Sequence, residues 1–245
     1  MIDYITDFAT TADFNAVKDS LETPHVALTE DDMQVHYMPY VDPYGGHEYV
    51  EIGGLKWATM NVGATGVTDY GLYFQWGDAQ GYTADQVGSG SGQKYFGWAD
   101  YKYTNDGGST FTKYNSTDGK TVLEASDDAV AAAWGGNWRM PTTEEFATLS
   151  AATTSAWTSN YQGSGVRGLV LTDKTDGSKV LFFPAAGYCY NGSVLDAPYE
   201  GRYWSSSLGV GYVQYGRGMY ISQYSVAWNN HYDRYVGFAV RGVAS

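Results

Sequence analysis

Aromatic rings and glycines stand where most globular chains carry aliphatic residues. There are 23 Tyr, 8 Trp and 9 Phe beside 31 Gly. Rings fill an interior with few residues, and glycine lets the backbone reverse without steric cost. Such a chain is expected to form short strands joined by many turns, with large rings in the core. Tyrosine adds a condition, because each buried hydroxyl must find a hydrogen-bond partner. A length of 245 residues allows one large domain or two small ones. With 43% apolar and 17% charged residues, the composition is that of a folded chain.

The charge excludes one class of function. A net charge of −13 provides no cationic footprint for nucleic acid. The acid is concentrated early: residues 1–160 hold 22 acidic and 7 basic side chains, and residues 161–245 hold 5 and 7. The last third is therefore the part that an anionic partner, such as a cell-surface polysaccharide, can approach. A single cysteine, Cys189, forbids an intrachain disulfide and a cysteine-based zinc site. No run approaches 18 apolar residues, so no membrane insertion is expected. The N-terminus lacks a basic stretch followed by an apolar one, so it does not read as a signal peptide. The expectation is a protein held in the cell until lysis or assembly, or one whose export segment has been removed.

Two domains are expected, an attachment or assembly segment at 1–45 and a ligand-binding domain at 46–245. In the first, residues 13–21 place Phe14, Val17 and Leu21 on one helical face, and strand-like runs follow at 26–28 and 35–37. An extra layer of the main domain is the alternative reading of this segment. The second opens with a hairpin, Tyr49-Val50-Glu51-Ile52 and Leu55-Lys56-Trp57-Ala58 around Gly53-Gly54. A strand is expected at 72–76. Residues 79–120 read as a long loop region anchored by Tyr95, Phe96 and Trp98. Two helices follow, one capped by Ser126 with Ala129 to Ala133 as its body, the other opening on the capping box Thr142-x-x-Glu145. Strands are then expected at 168–171, 180–183, 203–207 and 237–241. The class is α+β, with two short helices, antiparallel strands and long irregular loops.

Catalytic and metal-binding patterns are poor. His25, His36, His47 and His231 share no ligand spacing. Glu144-Glu145 reads better as helix capping than as paired catalytic carboxylates. No nucleophile elbow or phosphate-binding loop occurs in a strand-to-helix setting. Cys189 has no cationic neighbour in sequence and reads as a buried, inert thiol. No enzyme activity, cofactor or metal is expected.

Residues 203–241 hold seven tyrosines among Ser, Gly, Asn, Trp228, His231 and Arg217. Tyrosine with small polar residues is the composition of antibody-like binding surfaces, because it offers large contact area at low entropic cost. The competing reading is a sheet whose rings fill the core, as Trp204 and Phe238 are expected to do.

Four blocks carry a resemblance. Gly136-Asn137-Trp138-Arg139-Met140-Pro141-Thr142 with Glu145 resembles the "GxxWRLPT…E" signature of a C-type lectin-like domain family of gut bacteria and their phages. Tyr203-Trp204-Ser205-Ser206-Ser207 and Gly237-Phe238-Ala239-Val240-Arg241 resemble its "YWSSS" and "GFxVR" blocks, and residues 55–63 resemble its opening "G.xWAxxNVG". The likeness spans residues 50–243. It implies a C-type lectin-like fold. One branch of the family consists of variable proteins diversified by retroelements, which substitute at adenines, mostly in Asn codons, between the last two blocks. That resemblance implies ligand binding by Gly209, Tyr212, Tyr215, Arg217, Tyr220, Ser222, Tyr224, Trp228, Asn229, Asn230, His231, Tyr232 and Tyr235. Gln214, Met219, Gln223 and Trp228 lie beyond the reach of such substitution and are expected to stay constant.

The implied function is receptor binding by a phage or prophage virion (tail) protein whose 208–236 segment varies host recognition. The alternative is a bacterial surface or secreted lectin-like adhesion module. The expected partner is a host cell-surface protein or polysaccharide, with self-association or a virion partner engaged through 1–45. The formylglycine-generating enzyme shares the implied fold but needs catalytic cysteines, and only Cys189 is present. Calcium-dependent lectin motifs are matched only by Trp228-Asn229-Asn230, which departs at its third position.

Overall fold

A computed structural model describes residues 45–209 and 211–245. The chain divides into two units, Met1–Val41 and Asp42–Ser245, and every element below belongs to the second. The expected helix at 13–21, the strands at 26–28 and 35–37, His25 and His36 lie outside the described residues.

The glycine pair forms its hairpin. β1 (Tyr49–Ile52) and β2 (Leu55–Asn61) pair antiparallel with Ile52 opposite Leu55. Gly53 and Gly54 both sit at positive φ, which side chains disfavour in so tight a reversal. The last strand, β11 (Arg241–Ala244), pairs with the other edge of β2. β3 (Thr153–Thr158), β4 (Gly168–Asp173) and β5 (Val180–Pro184) form a second antiparallel sheet. β6 (Tyr188–Tyr190) and β7 (Ser193–Leu195) make a short hairpin. β8 (Glu200–Leu208), β9 (Tyr215–Ser222) and β10 (Val226–Asp233) form the sheet that carries the tyrosine-rich segment. With α1 (Ala129–Trp134) and α2 (Thr143–Ala152), the described residues form mostly antiparallel sheets with two α-helices.

Several local expectations change. α1 is capped by Asp128 and not by Ser126: its carboxylate accepts from Val130 N at 2.9 Å and Ala131 N at 3.0 Å. The same Oδ1 and its partner Oδ2 accept from Met140 N at 3.0 and 2.8 Å, tying the helix start to the 136–142 block. A serine hydroxyl could not span both. Residues 72–76 form no continuous strand. Their amides donate to three separate stretches, Leu72 to Val62, Tyr73 to Tyr82, and Phe74 and Trp76 to Phe238 and Arg234, so no single ladder develops. Residues 237–240 likewise bridge to their neighbours, and regular pairing begins at Arg241. In the long loop region Phe96 is buried, Trp98 half-buried and Tyr95 exposed, so Tyr95 is no anchor. The capping box of α2 is present, with Thr142 N donating to Glu145 at 2.8 Å.

The core holds its tyrosines by their hydroxyls. Tyr73 donates to Ala186 O at 2.6 Å, Tyr101 to Trp76 O at 3.0 Å and Tyr203 to Pro184 O at 2.6 Å. Trp204 is fully buried, stacks on Phe238 at 4.1 Å and donates its indole N–H to Phe74 O. The four blocks that carry the resemblance meet here. Arg139 bridges to Val243, Ser206 N donates to Pro141 O, Trp204 N to Ala239 O and Val62 N to Val240 O. Arg241, wholly buried, donates to Asn61 Oδ1, Ala58 O, Thr59 O and Phe182 O at 2.7 to 2.9 Å. Burial drives its guanidinium down to about 10, which leaves it charged at neutral pH.

Candidate ligand-binding face

In the β8–β9–β10 sheet β8 is buried from Tyr203 onward, whereas β9 and β10 leave polar and aromatic residues partly accessible. In β9, Gly216, Gly218, Met219 and Ile221 are buried, while Tyr215, Arg217 and Tyr220 are half-buried. The glycines are required by close approach: a Cβ on Gly216 would lie 2.6 Å from the Trp76 ring, and one on Gly218 2.6 Å from Tyr203 O. The β9–β10 register shifts between Ala227 and Asn230, leaving Trp228 and Asn229 outside the regular ladder. This turns Asn229 outward, where its Oδ1 accepts from Arg217 Nη1 at 2.7 Å.

The candidate residues do not form one site. They border three clefts. The largest, about 400 Å³, lies at the β9–β10 turn between Ser222, Tyr224 and Trp228 on one side and Ser155 and Trp157 of β3 on the other. The second, about 360 Å³, runs beside β10 and is lined by Tyr215, His231, Tyr232 and Tyr235. The third, about 350 Å³ and mostly apolar, lies between Leu208, Gly209 and Val213 and the loop from Asn115 to Thr121. Tyr212 and Tyr224 stand far out, at 59% and 91% exposure. Tyr212, Tyr215 and His231 follow one another with ring centres 6.1 Å apart at each step.

Four of the candidates are held closely by the fold. Gly209 is buried, and a Cβ there would lie 2.8 Å from Tyr215 O, so the position cannot take a side chain without displacing backbone. Ser222 is buried and its hydroxyl accepts from Tyr224 N and Ser225 N, fixing the turn. Tyr235 is buried at 8% exposure against Trp98, with ring centres 4.6 Å apart, and shows only its edge to the second cleft. Tyr220 is held by Glu200, its hydroxyl donating at 2.9 Å, and lines none of these clefts. Tyr232 is half-buried, packed edge-on against Phe238 at 4.8 Å, and accepts from Asn230 Nδ2 at 3.2 Å. Met219 is fully buried, whereas Gln223 is exposed.

Residues outside the 208–236 segment complete the second cleft. Tyr188 and Tyr190 of β6 and Arg202 of β8 form its far wall. The Arg202 guanidinium lies 3.5 Å over the Tyr188 ring and 5.3 Å from that of Tyr232. It pairs with Glu200 at 3.4 Å and Asp196 at 3.9 Å. The Asp233 carboxylate, also in the lining, has no hydrogen-bond or ion-pair partner among the described residues, and burial alone raises it above the ordinary value. His231 is lowered by burial and then by the Arg217 charge. The sequence pattern missed these residues because β6 and β8 reach the cleft only through sheet packing. The one legible signal was the tyrosine density around Cys189.

Chemistry elsewhere is structural. Cys189 is fully buried, burial pushes its thiol up, and its backbone pairs with Gly237 in both directions. Glu145 makes a two-point contact with Arg139 at 2.5 and 2.7 Å while capping α2. Among the described residues no three His, Cys, Asp or Glu side chains come together as metal ligands, and no helix is long and apolar enough to cross a membrane. Comparison with protein families, curated proteins and solved structures finds no match to this chain.

Proposed function

We propose that the chain is a receptor-binding protein with a C-type lectin-like fold, diversified between residues 208 and 236, and carried on a phage virion or a bacterial surface. The observation that carries the binding reading is the outer face of β9, β10 and their connections. The Tyr212 and Tyr224 rings project into solvent, their hydroxyls without a hydrogen-bond partner among the described residues, and three clefts border the same segment. A folded chain gains nothing by leaving such rings exposed, whereas a binding surface gains contact area at low entropic cost. The convergence of the four resembling blocks in one buried network supports the fold. The buried, raised thiol of Cys189 supports binding over catalysis.

The test is cell binding. Labelled protein is incubated with intact cells of a panel of gut bacterial strains and compared with a variant carrying Tyr212→Ser, Tyr215→Ser and Tyr224→Ser. The parent should bind at least one strain, and the variant should melt within a few degrees of it while losing that binding. A variant that binds as the parent does would place recognition elsewhere on the molecule. The retroelement part is read from the gene, where a nearby near-copy of the 203–241 coding segment should differ almost only at its adenines.

A further inference from the structure

The cleft beside β10 contains one charge that the fold leaves unanswered. Arg202 is neutralised by Glu200 and Asp196 and covered by the Tyr188 ring. Arg234, next in sequence to Asp233, turns away into the core, where it donates to Lys113 O and Tyr114 O. Burial and the Arg217 charge both disfavour a charge on His231. Asp233 faces Tyr215 across the β9–β10 ladder, and Tyr190 and Tyr235, with ring centres 5.9 Å apart, stand in the same lining. A half-buried carboxylate with no counter-charge is costly unless a cation joins it, because burial weakens its hydration.

We infer that this cleft takes an ammonium group of the ligand, with Asp233 as its counter-charge and Tyr188, Tyr190, Tyr215 and Tyr235 as its walls. The inference rests on the binding reading above and names the chemistry that one of its clefts recognises. A volume of about 360 Å³ admits a choline-sized or lysine-side-chain cation with room for the chain that bears it. Tyrosine faces suit an alkylated or primary ammonium, and the carboxylate excludes anions. Asp233 is a residue that adenine substitution at an Asn codon can produce, so the charge preference of this cleft is one a retroelement could change.

The experiment titrates the full chain with choline chloride and, separately, with Nα-acetyl-lysine methylamide, at constant ionic strength, by calorimetry. The neutral choline analogue 3,3-dimethylbutanol serves as the shape control. At least one ammonium probe should bind saturably with Kd in the millimolar range, typical of about 4 kcal/mol of binding energy. The stronger probe distinguishes an alkylated from a primary ammonium source. Asp233→Asn should weaken it about tenfold or more and leave the melting temperature equal or higher, since the carboxylate has no partner to lose. Tyr190→Ser, at the exposed rim, gives a second reading should Asp233→Asn fail to fold, and it should also weaken binding.

No saturable binding of either cation up to about 50 mM, equal binding of dimethylbutanol, or unchanged affinity in Asp233→Asn would overturn the inference. Cell binding by the parent, with its loss in the triple tyrosine variant, would then still stand for the wider function.

Discussion

Whether a tyrosine belongs to the core or to the binding face is decided at its hydroxyl. Tyr73, Tyr101 and Tyr203 are buried because each donates to a backbone carbonyl. Tyr224, at 91% exposure, has no such acceptor. The two kinds should respond differently to truncation. Tyr224→Ser is expected to change unfolding free energy by no more than about 0.5 kcal/mol. Tyr232→Ser removes a ring packed on Phe238 and should cost about 2–3 kcal/mol. Equal losses in chemical denaturation would show that the packing contact carries no weight. Arg241 is the most constrained side chain of the four blocks, since four acceptors depend on it. Arg241→Met should cost at least about 3 kcal/mol, because those buried acceptors lose their donors. Arg241→Lys should recover only part of this, as an ammonium cannot reproduce the planar fork.

The long loops owe their order to carboxylates. Asp100 accepts from the amides of Tyr95, Phe96 and Gly97, Asp106 from those of Ser109 and Thr110, and Asp118 from those of Tyr114, Asn115 and Lys120. Asp127 draws together Lys102, Lys113, Tyr103 and Tyr114. The acidic excess of the first 160 residues is thus partly a set of local turn caps. Asp106 is lowered to about 2, first by its bond from the Thr110 hydroxyl. For Asp127 burial acts upward, but the Lys113, Tyr103 and Tyr114 hydrogen bonds outweigh it and lower the group.

A carboxyl held lower in the folded state than in the unfolded one stabilises fully above its unfolded value and loses that contribution as pH falls through its folded value. Loop order should therefore be kept at pH 5 and lost progressively from about pH 4 toward pH 2. Asp128 runs the other way, because burial raises it, so its protonation offsets part of the loss. Hydrogen exchange of the amides at 95–120 as a function of pH checks this, and protection unchanged at pH 2.5 would contradict it. In the same region Asp128→Ala should cost about 2 kcal/mol, and Asp128→Asn, which keeps one acceptor oxygen, less.

At the scale of the whole molecule, scaffold and binding surface are separated within single strands. β9 is fixed by buried glycines that admit no Cβ, and it leaves Tyr215, Arg217 and Tyr220 half-buried. Natural variants of the segment should therefore differ at Tyr212, Tyr215, Arg217, Tyr224, Asn229 and His231, and keep Gly209, Gly216, Gly218 and Met219. Sequencing of related loci checks this, and frequent side chains at Gly216 or Gly218 would contradict the packing. Cys189 lies on the scaffold side, so Cys189→Ser should fold and bind as the parent does, at a modest cost for a buried hydroxyl.

The hairpin at 49–58, the capping box of α2 and the strand pairs at 168–183 were legible in the sequence. Each depends on neighbours a few residues apart: a two-glycine turn, a Thr-to-Glu spacing, two short apolar runs around Thr175-Asp176-Gly177. The cap of α1 was misplaced by two residues, because Asp128 serves the helix and the distant Met140 amide together. The strand at 72–76 failed for the same kind of reason, since its amides are claimed by three segments remote in sequence. The tyrosine-rich segment was legible as a surface by composition, but composition could not divide its rings. Tyr235 and Tyr224 differ in nothing that local sequence records. One meets Trp98 and the other meets water, and only the packing of β6, β8 and the long loop against the sheet decides which.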